Sequence, residues 1–127
     1  MLIKNFMTQN PVILSPEEDI KVAFNLLSDK HVRQAPVLED GTLIGIVTDR
    51  DLRMAIVQDL KTPNLTVSNV MTPNPKTVSE DEPLQSAANI IAENKFNALP
   101  VVSPDGRLVG IITTTDILLG LLNTIEE

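Results

Sequence analysis

The chain has 127 residues, of which 43% are hydrophobic and 21% charged, and it contains no cysteine. This composition is that of a globular protein, and the lack of cysteine excludes a disulfide framework, a thiolate metal site and a cysteine nucleophile. A net charge of −7 and only three aromatic residues argue against nucleic-acid binding, which needs a basic face and stacking platforms. No apolar run reaches the roughly eighteen residues of a membrane span, and no signal sequence opens the chain, so the cytoplasm is the expected location.

Two similar segments indicate a tandem repeat. Met7–Pro11 reads Met-Thr-Gln-Asn-Pro, and Met71–Pro75 reads Met-Thr-Pro-Asn-Pro. An extended segment follows each of them, Val12–Leu14 in the first copy and Lys76–Val78 in the second. We therefore take the chain as two copies of one unit and compare them position by position.

A helix is predicted after each extended segment. Ser15 and Ser79 are each followed three residues later by glutamate, which is the pattern of a capping box and predicts that a helix starts there. Apolar residues then recur at helical spacing on one face in both copies. These residues are Ile20, Ala23, Phe24 and Leu27, matched by Leu84, Ala87, Ala88 and Ile91.

Two strands joined by a turn come next in each copy. Ala35–Leu38 and Leu99–Val102 share a Pro-Val pair, and a turn containing Asp-Gly follows each. The apolar runs 43–47 and 108–112 are typical of strands that are buried on both faces. The short turns predict hairpins.

A string of glycine, two β-branched residues and Thr-x-x-Asp ends each hairpin and opens a last helix. The two strings are Gly45–Asp51 and Gly110–Asp116. One interpretation is a helix cap, in which the threonine accepts a backbone N–H and the aspartate lies at the positive end of the helix dipole. The other interpretation is ligand binding, and these residues alone leave both open.

Each copy is thus predicted as β-α-β-β-α, which gives an α+β protein of two repeats packed with pseudo-twofold symmetry. We expect repeat 1 at residues 1–60, a linker at 61–66 and repeat 2 at 67–127. The last helix contains apolar residues around nearly its whole circumference. A second subunit could cover part of it.

Taken together, the two Met-Thr openings, the two Pro-Val strands and the two Gly-x-x-Thr-x-x-Asp strings resemble a pair of CBS domains, the tandem unit called a Bateman module. The resemblance covers almost the whole chain, from about residue 2 to residue 122. The Thr-Asp-Arg-Asp of the first copy also resembles the CBS portion of acetoin-utilisation-type proteins, which usually continue into a further domain that is missing here.

The resemblance implies adenine-nucleotide binding in clefts between the repeats. Asp51 and Asp116 would bind ribose hydroxyls, and Thr48 and Thr113 would approach ribose or phosphate. A carboxylate can accept from two vicinal hydroxyls, and threonine with free N–H groups at a helix start suits a phosphate. The residues matching those through which family members contact adenine are Ile13, Leu14 and Ala35 in copy one, and Thr77, Val78 and Leu99 in copy two.

Basic residues are concentrated in the first copy. Arg33 matches a position where family members often have a phosphate-binding arginine, and Arg50 and Arg53 flank the first motif. The aligned positions of the second copy are Asn97, Thr115 and Leu118. We expect a phosphorylated adenosine such as AMP or ATP near Asp51, and weaker binding, a neutral adenosyl group or no ligand near Asp116. The alternative for Arg50 and Arg53 is that they are ordinary exposed helix residues that pair with Asp49 or with solvent.

Three classes of function are compared. Enzymatic activity is not expected, because no phosphate-binding loop is present and a single histidine leaves few nucleophile-base pairs or metal sites. A structural dimerisation module without a ligand is the alternative to a ligand sensor. The function predicted is a regulatory module that senses AMP, ADP or ATP, with S-adenosylmethionine as a further candidate. It would need no cofactor, form a homodimer and signal to an unidentified protein partner in trans, without nucleic acid or membrane.

Overall fold

The computed structural model describes residues 1–58, 60, 61 and 63–126, and its chain forms two compact units. Val12–Pro75 make up one of them, here called the central unit. Met1–Pro11 join Lys76–Glu127 in the other, here called the split unit. The mixed α+β class is confirmed, with two sheets and five α-helices among the described residues.

The elements of the central unit are α1 (Ile20–Asp29), β2 (Gln34–Glu39), β3 (Thr42–Thr48), α2 (Asp49–Gln58), α3 (Val67–Val70) and β4 (Thr72–Pro73). Its strands form a three-stranded antiparallel sheet with the order β2-β3-β4. Their apolar faces form a core of their own that includes Ile20, Leu27 and Leu52. The first predicted strand is reduced to a single parallel bridge between Leu14 and Val37.

The elements of the split unit are a short 3-10 turn (Ile3–Asn5), β1 (Thr8–Gln9), β5 (Val78–Ser79), α4 (Leu84–Asn94), β6 (Ala98–Val102), β7 (Leu108–Thr113) and α5 (Thr114–Glu126). Its strands form a four-stranded sheet with the order β1-β7-β6-β5, in which only β5 and β6 are parallel. A second core includes Ile3, Leu99 and Ile112. Each unit therefore buries its own apolar residues.

The units and the sequence repeats divide the chain at different points. The Met-Thr opening of the first copy supplies β1, which pairs with β7 of the second copy. The opening of the second copy supplies β4, which pairs with β3 of the first. The predicted repeats, 1–60 and 67–127, stay a prediction about the sequence. The compact units differ from them because each unit contains the Met-Thr opening of the other copy.

The predicted helix starts at Ser15 and Ser79 were wrong. Helix α1 begins at Ile20 and is capped by Asp19, whose Oδ1 accepts the N–H of Lys21 at 2.7 Å. Helix α4 begins at Leu84, after Pro83. Each serine instead starts a turn, in which Ser79 N–H donates to Glu82 Oε1 and Ser79 Oγ accepts the N–H of Asp81, both at 3.3 Å. The first copy has the same two bonds, at 3.5 and 3.4 Å.

A neighbouring segment explains why these turns do not continue as helices. The carbonyls of Pro16 and Glu18 accept the N–H groups of Ser68 and Val67, both at 2.9 Å. In the split unit, residues 3 and 4 donate in the same way to the carbonyls of residues 82 and 80. Because these carbonyls are already paired, they do not serve as acceptors for a helix that starts earlier.

None of the helices in the described part of the chain is both long and apolar enough to cross a membrane.

Candidate functional site

The Thr-x-x-Asp string forms the same pair of hydrogen bonds in both units. Thr48 N–H donates to Asp51 Oδ2 at 3.2 Å, and Asp51 N–H donates to Thr48 Oγ1 at 3.0 Å. The equivalent distances for Thr113 and Asp116 are 2.9 and 3.2 Å. The helix-cap interpretation is therefore correct, since α2 and α5 begin directly after these threonines. Each aspartate uses one carboxylate oxygen, and the other forms no hydrogen bond among the described residues.

The start of each motif helix is tied to the residue that precedes the Pro-Val strand. Asp49 N–H donates to the carbonyl of Arg33 at 2.7 Å, directly before β2 begins. In the split unit the N–H of Thr114 donates to the carbonyl of Asn97 at 3.0 Å, and its hydroxyl donates to the same oxygen at 3.3 Å. The backbone of Arg33 therefore lies beside the first capping box, while its side chain is exposed.

The Pro-Val strand leaves part of the neighbouring backbone without a partner. Leu14 N–H donates to the carbonyl of Pro36, and Leu38 N–H donates to the carbonyl of Leu14, both at 3.0 Å. Proline has no N–H, so this parallel pairing cannot continue toward Val12. The backbone of Ile13 forms no hydrogen bond among the described residues, and its side chain is 47% exposed.

The split unit repeats this arrangement. Val78 pairs in parallel with Val101, next to Pro100, and the preceding Thr77 is exposed. An unpaired and accessible stretch of backbone thus lies beside the Pro-Val strand in each unit. The prolines were read in the sequence only as strand markers, although their missing N–H was the signal for this feature.

The structure distributes the predicted contacts between the two units. The central unit contains Ile13, Leu14, Arg33, Ala35, Thr48, Arg50 and Asp51, and the split unit contains Thr77, Val78, Leu99, Thr113 and Asp116. Four of them have side chains packed in the cores, which limits any ligand contact to their backbone. These four are Leu14, Ala35, Val78 and Leu99.

Arg33, Arg50 and Arg53 are all exposed, and none of them forms an ion pair within the described parts of the chain. The pairing of Arg50 or Arg53 with Asp49 that we considered is not observed. In the split unit the lysine and arginine ion pairs, Lys4 with Asp81 and Arg107 with Asp105, involve other segments. The central unit thus has unpaired guanidinium groups near its motif, and the aligned positions of the split unit are neutral.

No cluster of three histidine, cysteine, aspartate or glutamate residues that could hold a metal occurs among the residues that the structure describes.

Comparison with known proteins identifies the family of the two repeats. The family model described as CBS domain matches residues 3–58 and 67–123. A CBS domain-containing protein of Dictyostelium discoideum is 31% identical over 137 residues, which cover 99% of this chain and 94% of the relative. The chain spans 23% of a matching inosine-5'-monophosphate dehydrogenase of Korarchaeum cryptofilum.

Solved structures give the same result. CBSX2, a CBS-pair protein of Arabidopsis thaliana, was solved in complex with AMP. That structure is 36% identical with a TM-score of 0.84, covering 99% of this chain and 98% of that one. The CBS domain pair of protein MJ0100, in complex with 5'-methylthioadenosine and S-adenosyl-L-methionine, is 28% identical with a TM-score of 0.87 and 98% coverage of both chains.

The acetoin utilization protein AcuB of Vibrio cholerae is 28% identical with a TM-score of 0.85, covering 99% of this chain and 93% of that one. This match agrees with the resemblance of the sequence to the CBS portion of acetoin-utilisation-type proteins. With both repeats matched along most of its length, the chain belongs to the CBS-domain family as a tandem CBS pair.

Proposed function

We propose that this protein is a regulatory module that binds an adenine nucleotide and reports it to a protein partner in trans. The observation that carries the proposal is the same construction in both units: a capping box with a spare carboxylate oxygen, and an unpaired backbone stretch beside the Pro-Val strand. The spare oxygen can accept from a ribose hydroxyl, and free backbone groups can recognise the edge of a base.

The roles in the central unit follow from this geometry. Asp51 would bind the ribose through Oδ1, because Oδ2 already accepts the N–H of Thr48. Ile13 would contact adenine with its exposed side chain and its unpaired backbone. The backbone polar groups of Leu14 are already paired, so Leu14 and Ala35 would contribute only van der Waals contacts of their backbones. Thr77, Val78, Leu99, Thr113 and Asp116 would have these roles in the split unit.

Charge distinguishes the two sites. Arg33 and Arg50 can form bidentate bonds to phosphate, and neither is engaged by an acidic group in the described chain. We therefore assign AMP, ADP or ATP to the central unit. The split unit would bind the same ligand more weakly or take a neutral adenosyl group. AMP in CBSX2 supports the phosphorylated class, and methylthioadenosine in MJ0100, an uncharged adenosyl compound without phosphate, supports the neutral class.

The first experiment is isothermal titration calorimetry with AMP on the wild-type protein, Asp51→Ala and Asp116→Ala. Both variants lose an equivalent helix cap, so each is a structural control for the other. We expect Asp51→Ala to abolish the stronger binding event and Asp116→Ala to retain it. Loss of the stronger event in Asp116→Ala alone would reverse the assignment of the sites, and absence of AMP binding to the wild type would refute a nucleotide sensor of this kind.

A second titration tests the arginines. We expect Arg33→Ala and Arg50→Ala to weaken AMP binding by about tenfold each, the loss of one charge-assisted contact of about 1.5 kcal/mol, and to leave adenosine binding nearly unchanged. Arg53→Ala is the matched control, because Arg53 is an exposed arginine of the same helix outside the proposed site. Equal losses in all three variants would indicate a general effect of charge.

The alternative, a dimerisation module without a ligand, is favoured by the outer face of α5. Leu118, Leu119, Leu121 and Leu122 are between 52 and 56% exposed, and Met54 and Val57 of α2 are also exposed. A homodimer that covers these residues is compatible with ligand sensing. Sedimentation of Leu119→Glu should give a smaller species than the wild type, and a wild-type monomer at the same concentration would refute the dimer. The non-enzymatic, cytoplasmic character stays part of this proposal.

A further inference from the structure

Each unit receives its edge strand from the segment of chain that then enters the other unit. Strand β1 pairs with β7 in the split unit, with Gln9 opposite Gly110. After two intervening residues the chain enters the central unit at Val12. Strand β4 pairs with β3 in the same way, with Pro73 opposite Gly45, and the chain then enters the split unit.

The two-residue connectors, Asn10-Pro11 and Asn74-Pro75, have little conformational freedom. Both asparagines have left-handed backbone angles, with φ of 49° for Asn10 and 50° for Asn74. This region is sparsely allowed for residues with a side chain, and the proline that follows has a fixed φ. Such a connector has few torsions that could absorb a displacement at one of its ends.

Before each connector, a methionine side chain and a threonine carbonyl lie close to the glycine of a motif. A Cβ atom on Gly110 would lie 2.7 Å from both Met7 Sδ and Thr8 O. A Cβ atom on Gly45 would lie 2.5 Å from Met71 Sδ and 3.1 Å from Thr72 O. Both glycines lie three residues before the capping threonine. The strand that leads to each candidate site therefore also packs against the edge strand that precedes a connector.

The other end of each connector leads directly to the unpaired backbone stretch. Three residues separate Gln9 in the split unit from Ile13 in the central unit, and three separate Pro73 from Thr77. The Asn10-Pro11 connector therefore follows a strand that is paired with β7, which leads to Thr113. At its other end it continues into the candidate base contact of the central unit.

We infer that the two connectors couple the candidate sites, so that a change at the motif strand of one unit alters the base-contacting backbone of the other. The coupling is reciprocal because the construction occurs twice. Its ligand-dependent consequence, that occupancy of one site changes the affinity of the other, rests on the proposed function. The mechanical coupling itself does not require a ligand.

The first test is amide hydrogen exchange on the unliganded full chain carrying Gly110→Ala. The added methyl group displaces Met7 and Thr8 from β7. We expect the amide of Leu14, which is hydrogen-bonded to Pro36 in the other unit, to exchange at least about five times faster, the low end of measured coupling between sites. Gly106→Ala is the matched control, because it strains a turn of the same unit with φ of 87° but has nothing within 4 Å.

The reciprocal pair uses the central unit. Gly45→Ala should accelerate exchange of the Glu80 amide, which is bonded to the carbonyl of Val102 at 2.9 Å, and Gly41→Ala should not. If Gly110→Ala does not fold, Met7→Ala replaces it in the first test, because it loosens the contact between Met7 and Gly110 without adding volume. Faster exchange confined to the unit that carries the substitution would overturn the coupling.

The ligand experiment then separates the coupling from the proposed function. AMP should slow amide exchange at Ile111 in the wild type, and Pro11→Gly, which frees the connector, should remove that effect while AMP still protects Leu14. Failure of AMP to bind the wild type would count against the proposed nucleotide, whereas the coupling is decided by the unliganded glycine variants.

Discussion

Replacing the capping threonines with valine measures what the Thr-x-x-Asp box contributes without a ligand. Thr48→Val and Thr113→Val keep the shape of the side chain and remove the oxygen that accepts the N–H of Asp51 or Asp116, at 3.0 and 3.2 Å. Each variant leaves one helix N–H without its partner. Loss of such a cap costs about 1 kcal/mol, within a range of about 0.5 to 2.

The expected change in melting temperature follows from the length of the chain. An unfolding entropy of about 2.1 cal/mol/K per residue gives about 0.27 kcal/mol/K for 127 residues. A loss of about 1 kcal/mol therefore lowers Tm by about 4 °C in either variant. Thr115→Val is the control, because Thr115 is exposed and its side chain forms no hydrogen bond in the described chain.

Differential scanning calorimetry with and without AMP completes the experiment. AMP at a hundred times its Kd should stabilise the wild type by about 2.7 kcal/mol, or about 10 °C by the same entropy. We expect Thr113→Val to retain most of this increase and Thr48→Val to lose much of it. If neither variant lost more than about 0.5 kcal/mol without ligand, the box would contribute no more than an ordinary surface residue and the capping argument would fail. An equal response to AMP would remove Thr48 from the proposed site.

Three further predictions concern stability and titration. Gly120→Ala should lower the free energy of unfolding measured in urea, because the new Cβ would overlap the buried Leu84 and overpacking costs about 1–3 kcal/mol. This cost opposes a gain of about 1 kcal/mol in helix propensity. A more stable variant would contradict the prediction. Leu27→Ala, fully buried in the central core, should lose about 2–5 kcal/mol in the same assay, and a loss below about 1 kcal/mol would show that the core collapses around the site. The hydrogen bond from the Ser103 hydroxyl lowers the pKa of the Asp105 carboxyl below its ordinary 3.8, so Ser103→Ala should raise the NMR titration midpoint. This pKa is lower in the folded state, so the contribution of Asp105 is present above the unfolded pKa and is lost as pH falls through the folded value.

The sequence predicted the local features whose cause lies within a few residues. Helices α2 and α5 begin where the Thr-x-x-Asp strings place them, because their capping partners are three residues apart. The Asp-Gly turn between β2 and β3 also forms as expected. Asp40 and Gly41 both have positive φ, 50° and 80°, which is the geometry of a two-residue hairpin turn.

Features that depend on distant segments could not be predicted in this way. The serines at 15 and 79 have the local pattern of a helix start, but donors from residues 67–68 and 3–4 occupy the carbonyls around them. The exchange of Met-Thr openings is also absent from the repeat pattern, because each copy looks complete in sequence. Only the pairing of β1 with β7 and of β4 with β3 shows which unit each opening joins.

The site residues stay a prediction, and the structure bears on the way in which they could act. The family resemblance selected Leu14 and Ala35 as contacts, yet the structure buries both side chains in the core, and the N–H and carbonyl of Leu14 are already paired with Pro36 and Leu38. Periodicity alone does not separate a side-chain contact from a backbone contact. The missing donor of Pro36 indicates only where the parallel pairing ends, at the carbonyl of Val12.

Helix capping and ligand binding were opposed interpretations of the sequence, and the geometry makes them compatible. A carboxylate has two oxygens, and the N–H of Thr48 engages only Oδ2 of Asp51. That bond fixes the orientation of the carboxylate before any ligand arrives, which reduces the entropy lost when Oδ1 accepts a hydroxyl. The cap can therefore be equal in both units while ligand affinity differs, because in the proposed site affinity would also depend on Arg33 and Arg50 of the central unit. Two copies of one motif can in this way give one stronger and one weaker site without any difference in the motif itself.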